Sequence, residues 1–112
     1  MTTTNKSLAA GSQLTTSAVT YYTAPANTRT RITACTLTNT TAGAITATLH
    51  VVPVGATESA SNMVISAKSI GANETYNCPE AIGKVLEATG TIRALASAGT
   101  SISIQASGVE IT

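Results

Sequence analysis

TRTRITACTLTNTTAGAITATLHVVPVG, residues 28–55, is the stretch that decides the fold. Its two halves, Arg29–Asn39 and Ala44–Val52, are rich in Thr, Ile, Val and Leu, which suit the pleated, half-buried surface of a β-sheet. Residues 39–43 between them supply the small polar side chains of a turn. The pattern predicts two long strands joined as a β-hairpin.

The two strands of this predicted hairpin differ in how clearly they alternate. The second one alternates cleanly, with Ile45, Ala47, Leu49 and Val51 on one face and Thr46, Thr48 and His50 on the other. The first leaves two registers open: a four-residue loop pairs Ile32 with Val51, whereas a five-residue loop brings Cys35 onto the face of Ala47. A bulge in the first strand would accommodate both sets of residues.

Turn signals divide the rest of the chain into further short strands. The predicted strands are Leu14–Tyr22, Met63–Ile70, Glu74–Cys78, Thr91–Ser97 and Ser101–Ile111. Pro79–Ala88 has a proline at a first-turn position and apolar residues at helical spacing, which predicts at most one short helical turn. About seven strands separated by turns at roughly 8 to 12-residue intervals predict an all-β, antiparallel β-sandwich or jelly roll.

The N-terminal segment differs from the rest in composition. Residues 1–13 are small and polar without a period, so we expect a flexible N-terminal arm followed by a single domain over 14–112. No apolar run has the length of a secretory signal or a membrane helix, which predicts a protein made in a cytosol without a membrane partner. Cys35 and Cys78 are then expected to be reduced and buried, although the sequence leaves open whether they are bridged.

Composition limits the classes of partner. Charged residues make up 10% of the 112, against about 25% in typical soluble domains, and the chain has no Trp, Phe or Asp. A surface of hydroxyl and methyl groups is expected to be covered by identical copies or by another protein. The net charge of +1, without aromatic residues on which bases can stack, argues against nucleic-acid binding.

The residues that carry chemistry are few. With one histidine, no aspartate and scattered glutamates, the chain lacks a nucleophile, base and orienting group in any recognisable pattern, so we expect no enzyme, no cofactor and no metal. His50 is predicted at the surface or in an interface, and Glu74 and Glu80 as solvated charges. Tyr21 and Tyr22 must point to opposite faces of their strand, and the outward one is a candidate anchor for a partner.

Five blocks carry a resemblance to a known family. They are YTAPANTR at 22–29, LTNT at 37–40, VPVG at 52–55, LEA at 86–88 and SGVEI at 107–111. Their order and spacing, from about Tyr22 to the C-terminus, resemble a family of small virion structural proteins of tailed bacteriophages. That family often has an acidic residue after the glycine that follows the fourth block, where this chain has Thr89-Gly90-Thr91.

The resemblance implies a non-enzymatic β-sandwich held in the virion and made in the cytoplasm of a host bacterium. It implies homo-oligomers that decorate or cement the capsid or the head-tail junction, with major capsid, neck or tail proteins as partners. Exposed strand edges and the N-terminal arm are expected to bury against neighbouring subunits. The residues predicted at these contacts are Thr2, Asn5, Leu8, Gln13 and Tyr22.

The alternative is a tail- or fibre-associated adhesion module that binds host surface carbohydrate through loops at one end of the sandwich. Such sites usually contain aromatic and acidic residues, and the loops offer Tyr76 and Glu74.

Overall fold

The computed structural model describes residues 2–112, which form nine strands and a single turn of 3-10 helix at Ala60–Asn62. Seven strands have five residues or more and two have only two residues, one of them where the strand Glu74–Cys78 was predicted. The strands are β1 (Thr3–Gln13), β2 (Val19–Thr23), β3 (Arg29–Asn39), β4 (Ile45–Val52), β5 (Met63–Ile70), β6 (Thr75–Tyr76), β7 (Val85–Leu86), β8 (Thr91–Ala96) and β9 (Ile102–Ile111).

These strands form two antiparallel sheets. Sheet 1 has the order β1-β9-β3-β6, with β7 on the same edge of β3 as β6, and sheet 2 has the order β2-β8-β4-β5. Aliphatic side chains from both sheets, with Tyr22, Cys35 and Cys78, form one buried cluster between them. The all-β sandwich predicted from the sequence is confirmed.

The strand order is that of a jelly roll. Along the chain the pairs are nested, because β1 pairs with β9, β2 with β8, β3 with β6 and β7, and β4 with β5. These nested pairs form one long antiparallel ribbon. When the ribbon rolls up, β9 also pairs with β3 and β8 also pairs with β4, which completes the two sheets. With β6 and β7 counted as one interrupted strand, the result is the eight-stranded, double Greek-key arrangement of jelly rolls.

The predicted hairpin at 28–55 is wrong. Both segments are strands, but β3 lies in sheet 1 between β9 and β6, whereas β4 lies in sheet 2 between β8 and β5. Each strand therefore has partners on both edges, and neither pairs with the other. A hairpin would place the two apolar faces side by side in one sheet, whereas this arch stacks them face to face, with Leu37 and Leu49 fully buried in the shared core.

Asn39, the last residue of β3, directs the chain across the sandwich. Its side chain is 0% exposed and its amide is fully hydrogen-bonded. Nδ2 donates to the carbonyl oxygens of Gly43 (2.7 Å) and Ile70 (2.9 Å), while Oδ1 accepts from the backbone N–H (2.9 Å) and the hydroxyl (2.7 Å) of Thr41. Because Ile70 ends β5, the end of a strand in sheet 1 is tied to the end of a strand in sheet 2.

A β-bulge in β3 sets which of its side chains face the core. Between Ile32 and Ala34 the pairing with β9 shifts by one residue, so Ile32, Cys35 and Leu37 all face the core. Neither register predicted against β4 occurs, because β3 does not pair with β4; the bulge brings Ile32 and Cys35 to the core and leaves Ala34 exposed. Opposite the bulge, a Cβ on Gly108 would stand 2.3 Å from the carbonyl oxygen of Arg31, so the central strand needs a glycine there.

The segment predicted to be a flexible arm is instead an edge strand. Thr3–Gln13 pairs with β9 over its length, and Leu8 and Ala9 lie in the core. Bulges on either side of Ala9 and Ala10 interrupt the alternation of buried and exposed residues. The sequence of this strand therefore lacks the period of two by which strands are predicted. Met1 lies outside the described residues.

One other strand begins later than predicted, and the 79–88 segment stays within the predicted limit of one short helical turn. The second strand begins at Val19, although Leu14 is fully buried ahead of it. Pro79–Ala88 has no helix: turns lead to β7, and the backbone N–H of Gly83 donates to the carbonyl of Ile32, so this segment follows the edge of β3.

Cys35 and Cys78 are free thiols buried in the core. Sγ of Cys78 donates to the carbonyl oxygen of Tyr76 at 3.6 Å. The interaction between the two thiols lowers the pKa of Cys35 and, together with burial, raises the pKa of Cys78 above its ordinary range.

We predict that Asn39→Ala lowers the free energy of unfolding by about 3 kcal/mol, since buried backbone carbonyls and a backbone N–H lose their partners together. Thr41→Val, which removes only the hydroxyl bond, should cost about 1 kcal/mol. Urea denaturation followed by far-UV circular dichroism measures both. A loss in Asn39→Ala no larger than in Thr41→Val would mean that the corner does not depend on this amide.

Candidate assembly surface

The free edges of the two sheets are protected very unequally. In sheet 1, β6 and β7 have two residues each, and in sheet 2 the edge strand β5 carries a bulge at Ala67, whose φ is +46°, next to Lys68. Bulges, charges and short length are the usual protections against edge-to-edge pairing. On the other side of the sandwich β1 is 11 residues long, with Lys6 as its one charged residue.

The two halves of β1 differ. From Ala9 onward the strand is bulged, and the carbonyl of its last residue, Gln13, accepts a hydrogen bond from the Tyr21 hydroxyl at 3.2 Å. Thr3–Ser7 pairs with β9 without interruption and is exposed along its length. This half of β1, which we call the free edge (Thr3–Ser7), presents a strand without a bulge to solvent, with Lys6 as its only charged residue.

The outer face of sheet 1 beside the free edge is uncharged and concave. A shallow depression of about 490 Å³ lies where β1 and β3 both carry bulges. It is lined by Ser7, Ala9, Ala10, Gly11, Ala34, Cys35, Thr36, Gln105, Ala106 and Ser107. Small neutral side chains cover this area, so a neighbouring protein can approach the backbone without desolvating a charge.

The five residues predicted at assembly contacts divide into two groups. Thr2, Asn5 and Gln13 are exposed on or beside β1, and their role in assembly stays a prediction. Leu8 and Tyr22 are 5% and 8% exposed and belong to the core, so a neighbouring subunit cannot reach them. Tyr22 faces inward and Tyr21 is the half-buried tyrosine of the pair.

Tyr22 instead links the two sheets. Its hydroxyl, on β2 of sheet 2, is 2.8 Å from Oγ1 of Thr30 and donates to Oε2 of Glu110 at 2.5 Å, both in sheet 1. Burial and the hydrogen bond to the Glu110 carboxylate raise the pKa of Tyr22 to about 12. The phenol is thus neutral and acts as a buried hydrogen-bond donor.

The prediction of a surface histidine is wrong. His50 is 3% exposed because the segment after β4 folds back over the outer face of sheet 2, and Nδ1 lies 2.9 Å from Oδ1 of Asn62. Nearby, Nη1 of Arg93 donates to Oε1 of Glu58 at 2.5 Å, and this bond, more than any other influence, lowers the pKa of the Glu58 carboxyl. These contacts hold the 53–62 segment against the sheet.

The candidate carbohydrate residues lie at the β5–β6 side of the sandwich, where Glu74 and Tyr76 line a depression of about 350 Å³ with Lys68. Their polar groups bind within the chain. Oε1 of Glu74 accepts the N–H of Gly71 (2.9 Å), and the Tyr76 hydroxyl donates to the Glu80 carboxylate (2.6 Å), which raises the pKa of Tyr76 to about 12.

Among residues 2–112, no three His, Cys, Asp or Glu side chains are grouped so that they could hold a metal ion. Over the same part of the chain, no helix is long and apolar enough to cross a membrane.

Comparison with known proteins gives no family. No family model and no curated protein matches the chain. Among solved structures it is similar to a chain in the structure of the infectious bursal disease virus Gx strain, with 18% identity and a TM-score of 0.47. It is also similar to the crystal structure of the infectious bursal disease virus VP2 subviral particle, with 20% identity and a TM-score of 0.41. Each match covers 97% of this chain and 32% of the other, so this chain spans about a third of their length.

We predict that Tyr22→Phe lowers the free energy of unfolding by about 2 kcal/mol, because the fully buried Thr30 hydroxyl and the Glu110 carboxylate lose their shared partner. Tyr76→Phe is the matched control, since it removes a tyrosine–glutamate bond at the surface and should cost much less. Chemical denaturation near neutral pH measures both.

The raised pKa of Tyr22 adds a pH dependence to the same pair of variants. A phenol whose folded pKa is raised from 10 to about 12 contributes stability that is complete below pH 10 and lost as the pH rises toward 12. The stability difference between wild type and Tyr22→Phe should therefore shrink over that range. Equal losses in the two variants at neutral pH would contradict the inter-sheet role of Tyr22.

Proposed function

We propose that this protein is a non-enzymatic structural component of a tailed-phage virion. In this proposal it is a homo-oligomeric jelly roll that decorates or cements the capsid or the head-tail junction. Its partners are other copies of itself and the major capsid, neck or tail proteins.

The observation that carries the proposal is the jelly-roll strand order combined with a free sheet edge that has no bulge and a single charge. Jelly rolls are the architecture of many viral capsid subunits. Soluble monomers normally protect their edges, and here β2, β5, β6 and β7 are short or bulged, whereas the free edge has only Lys6. An edge left open on one side fits a subunit that is covered after assembly.

Charge and chemistry support the same proposal. With 10% charged residues, the chain offers hydroxyls, methyls and backbone groups for contact, which suits many weak contacts repeated over a particle. A stable contact between two subunits is expected to bury on the order of 1,200 to 2,000 Å² in total. His50 and Glu58 bond to Asn62 and Arg93, and both contacts hold the 53–62 segment against sheet 2, which gives these side chains a structural role.

Carbohydrate adhesion is the second candidate, because lectins also use jelly rolls. It is favoured by the half-buried Tyr76 in its surface depression, with the Nζ of Lys68 5.1 Å from the ring centroid. Glu74 and Glu80 already accept hydrogen bonds within the chain, so a sugar would have to displace them. We therefore place adhesion behind assembly.

The test is quantitative mass spectrometry of purified particles of the phage whose genome encodes the chain. We expect the protein in many copies per particle, in a fixed ratio to the major capsid or tail protein. Particles that lack it would contradict a virion role. Specific binding in a glycan array, lost in Tyr76→Ala, would instead support adhesion.

A further inference from the structure

The backbone of the free edge alternates between groups that bind β9 and groups that face solvent. Thr2 and Thr112 exchange two backbone hydrogen bonds, 3.1 Å and 2.9 Å long, at the start of the β1–β9 ladder. In an antiparallel pair, residues that bind the partner alternate with residues whose N–H and C=O point away from it. Thr4 and Lys6 therefore bind β9, and the N–H and C=O groups of Thr3, Asn5 and Ser7 point to the free edge.

We infer that this edge pairs with the same edge of a second copy, antiparallel across a two-fold axis at Asn5. The inference rests on the proposed function and identifies a second copy of this chain as the partner at the free edge. In this register Asn5 opposes Asn5 and Thr3 opposes Ser7 on both sides of the axis, so every outward group of the three residues is used. Three pairs, each exchanging two bonds, give about six backbone hydrogen bonds. The two copies of sheet 1 become one continuous sheet.

The charges of the edge are compatible with this register. Lys6 faces Thr4 of the second copy, so the two lysines do not oppose each other. Within each copy Thr4 pairs with Glu110, which places Lys6 two strands from the second copy's Glu110 and on the same face of the sheet. Two strand spacings are about 10 Å, within reach of a lysine and a glutamate side chain together. The two lysines are diagonal neighbours on that face, about 7 to 8 Å apart, so their repulsion offsets the attraction to Glu110 and the backbone hydrogen bonds carry the contact.

The size of the contact sets its strength. A strip of five residues per copy is smaller than a standard interface, so the isolated pair is expected to form weakly and to depend on concentration. On a particle, further contacts hold neighbouring copies in place and raise the effective concentration of the edge. Cells thus contain mainly monomer until assembly begins.

The experiment compares Asn5→Pro with Asn5→Ala by sedimentation velocity over roughly three decades of concentration. Proline removes an outward N–H and leaves every bond to β9 intact, whereas alanine keeps that N–H. We expect wild type and Asn5→Ala to move from the 11.2 kDa monomer toward the dimer, and Asn5→Pro to need at least tenfold more protein. All three should unfold at the same denaturant concentration.

Two further measurements locate the contact. Thr4→Pro removes an N–H that binds β9, so it should destabilise the fold where Asn5→Pro does not. In wild type, amide hydrogen exchange at Thr3, Asn5 and Ser7 should slow as the dimer forms.

The outcomes separate this inference from the proposed function. A wild type that stays monomeric throughout, or an Asn5→Pro variant that associates like wild type, overturns the edge pairing. Abundant protein in purified particles would then still support the virion role. A protein that pairs through this edge in solution but is missing from the particles would support the edge pairing and contradict the virion role.

Discussion

The buried amide of Asn39 is the constraint on which the rest of the structure depends. Its four hydrogen bonds turn the chain at the end of β3 and fasten that turn to the end of β5 in the opposite sheet. A buried amide with all its donors and acceptors used is costly to disrupt, because each lost partner leaves a polar group without water. Once the chain crosses there, β4 must pair with β8 and β5, and β3 is left for β9.

The crossing determines which surfaces the molecule presents. Nested pairing leaves β1 and β2 on one side of the sandwich and β5, β6 and β7 on the other. The second side has short or bulged edges, and the segment after β4 lies across the outer face of sheet 2, held by His50 and Arg93. The free edge, with its unpaired backbone groups, and the neutral depression beside it therefore lie together on the β1 side.

Strand content was predictable from the sequence, whereas strand partners were not. Alternation of apolar and polar residues depends on burial of one face, and it correctly identified β4, β8 and β9 and the class of fold. Pairing depends on contacts between distant residues. Residues 39–43 have the composition of a hairpin turn, and only the position of Ile70 near the Asn39 amide makes them a corner.

The candidate surface was predictable only in part, because it also depends on how distant strands pair. Asn5 and Gln13, predicted at contacts, are exposed on β1. Leu8 and Tyr22, also predicted at contacts, lie in the core because of the β1 bulges and the hydrogen bonds between the sheets. A strand was missed in 3–13 because bulges interrupt its period. The signals available were its threonines and the absence of proline and acidic residues.

The most direct test of this account is the pattern of nuclear Overhauser effects between backbone Hα atoms in the isotope-labelled protein. A jelly roll with a crossing at Asn39 predicts contacts between Leu37 and Ile104 and between Leu49 and Ala94, where the strands pair within each sheet. Contacts between Ile32 and Val51, or between Cys35 and Ala47, would show β3 and β4 paired as a hairpin and would contradict it.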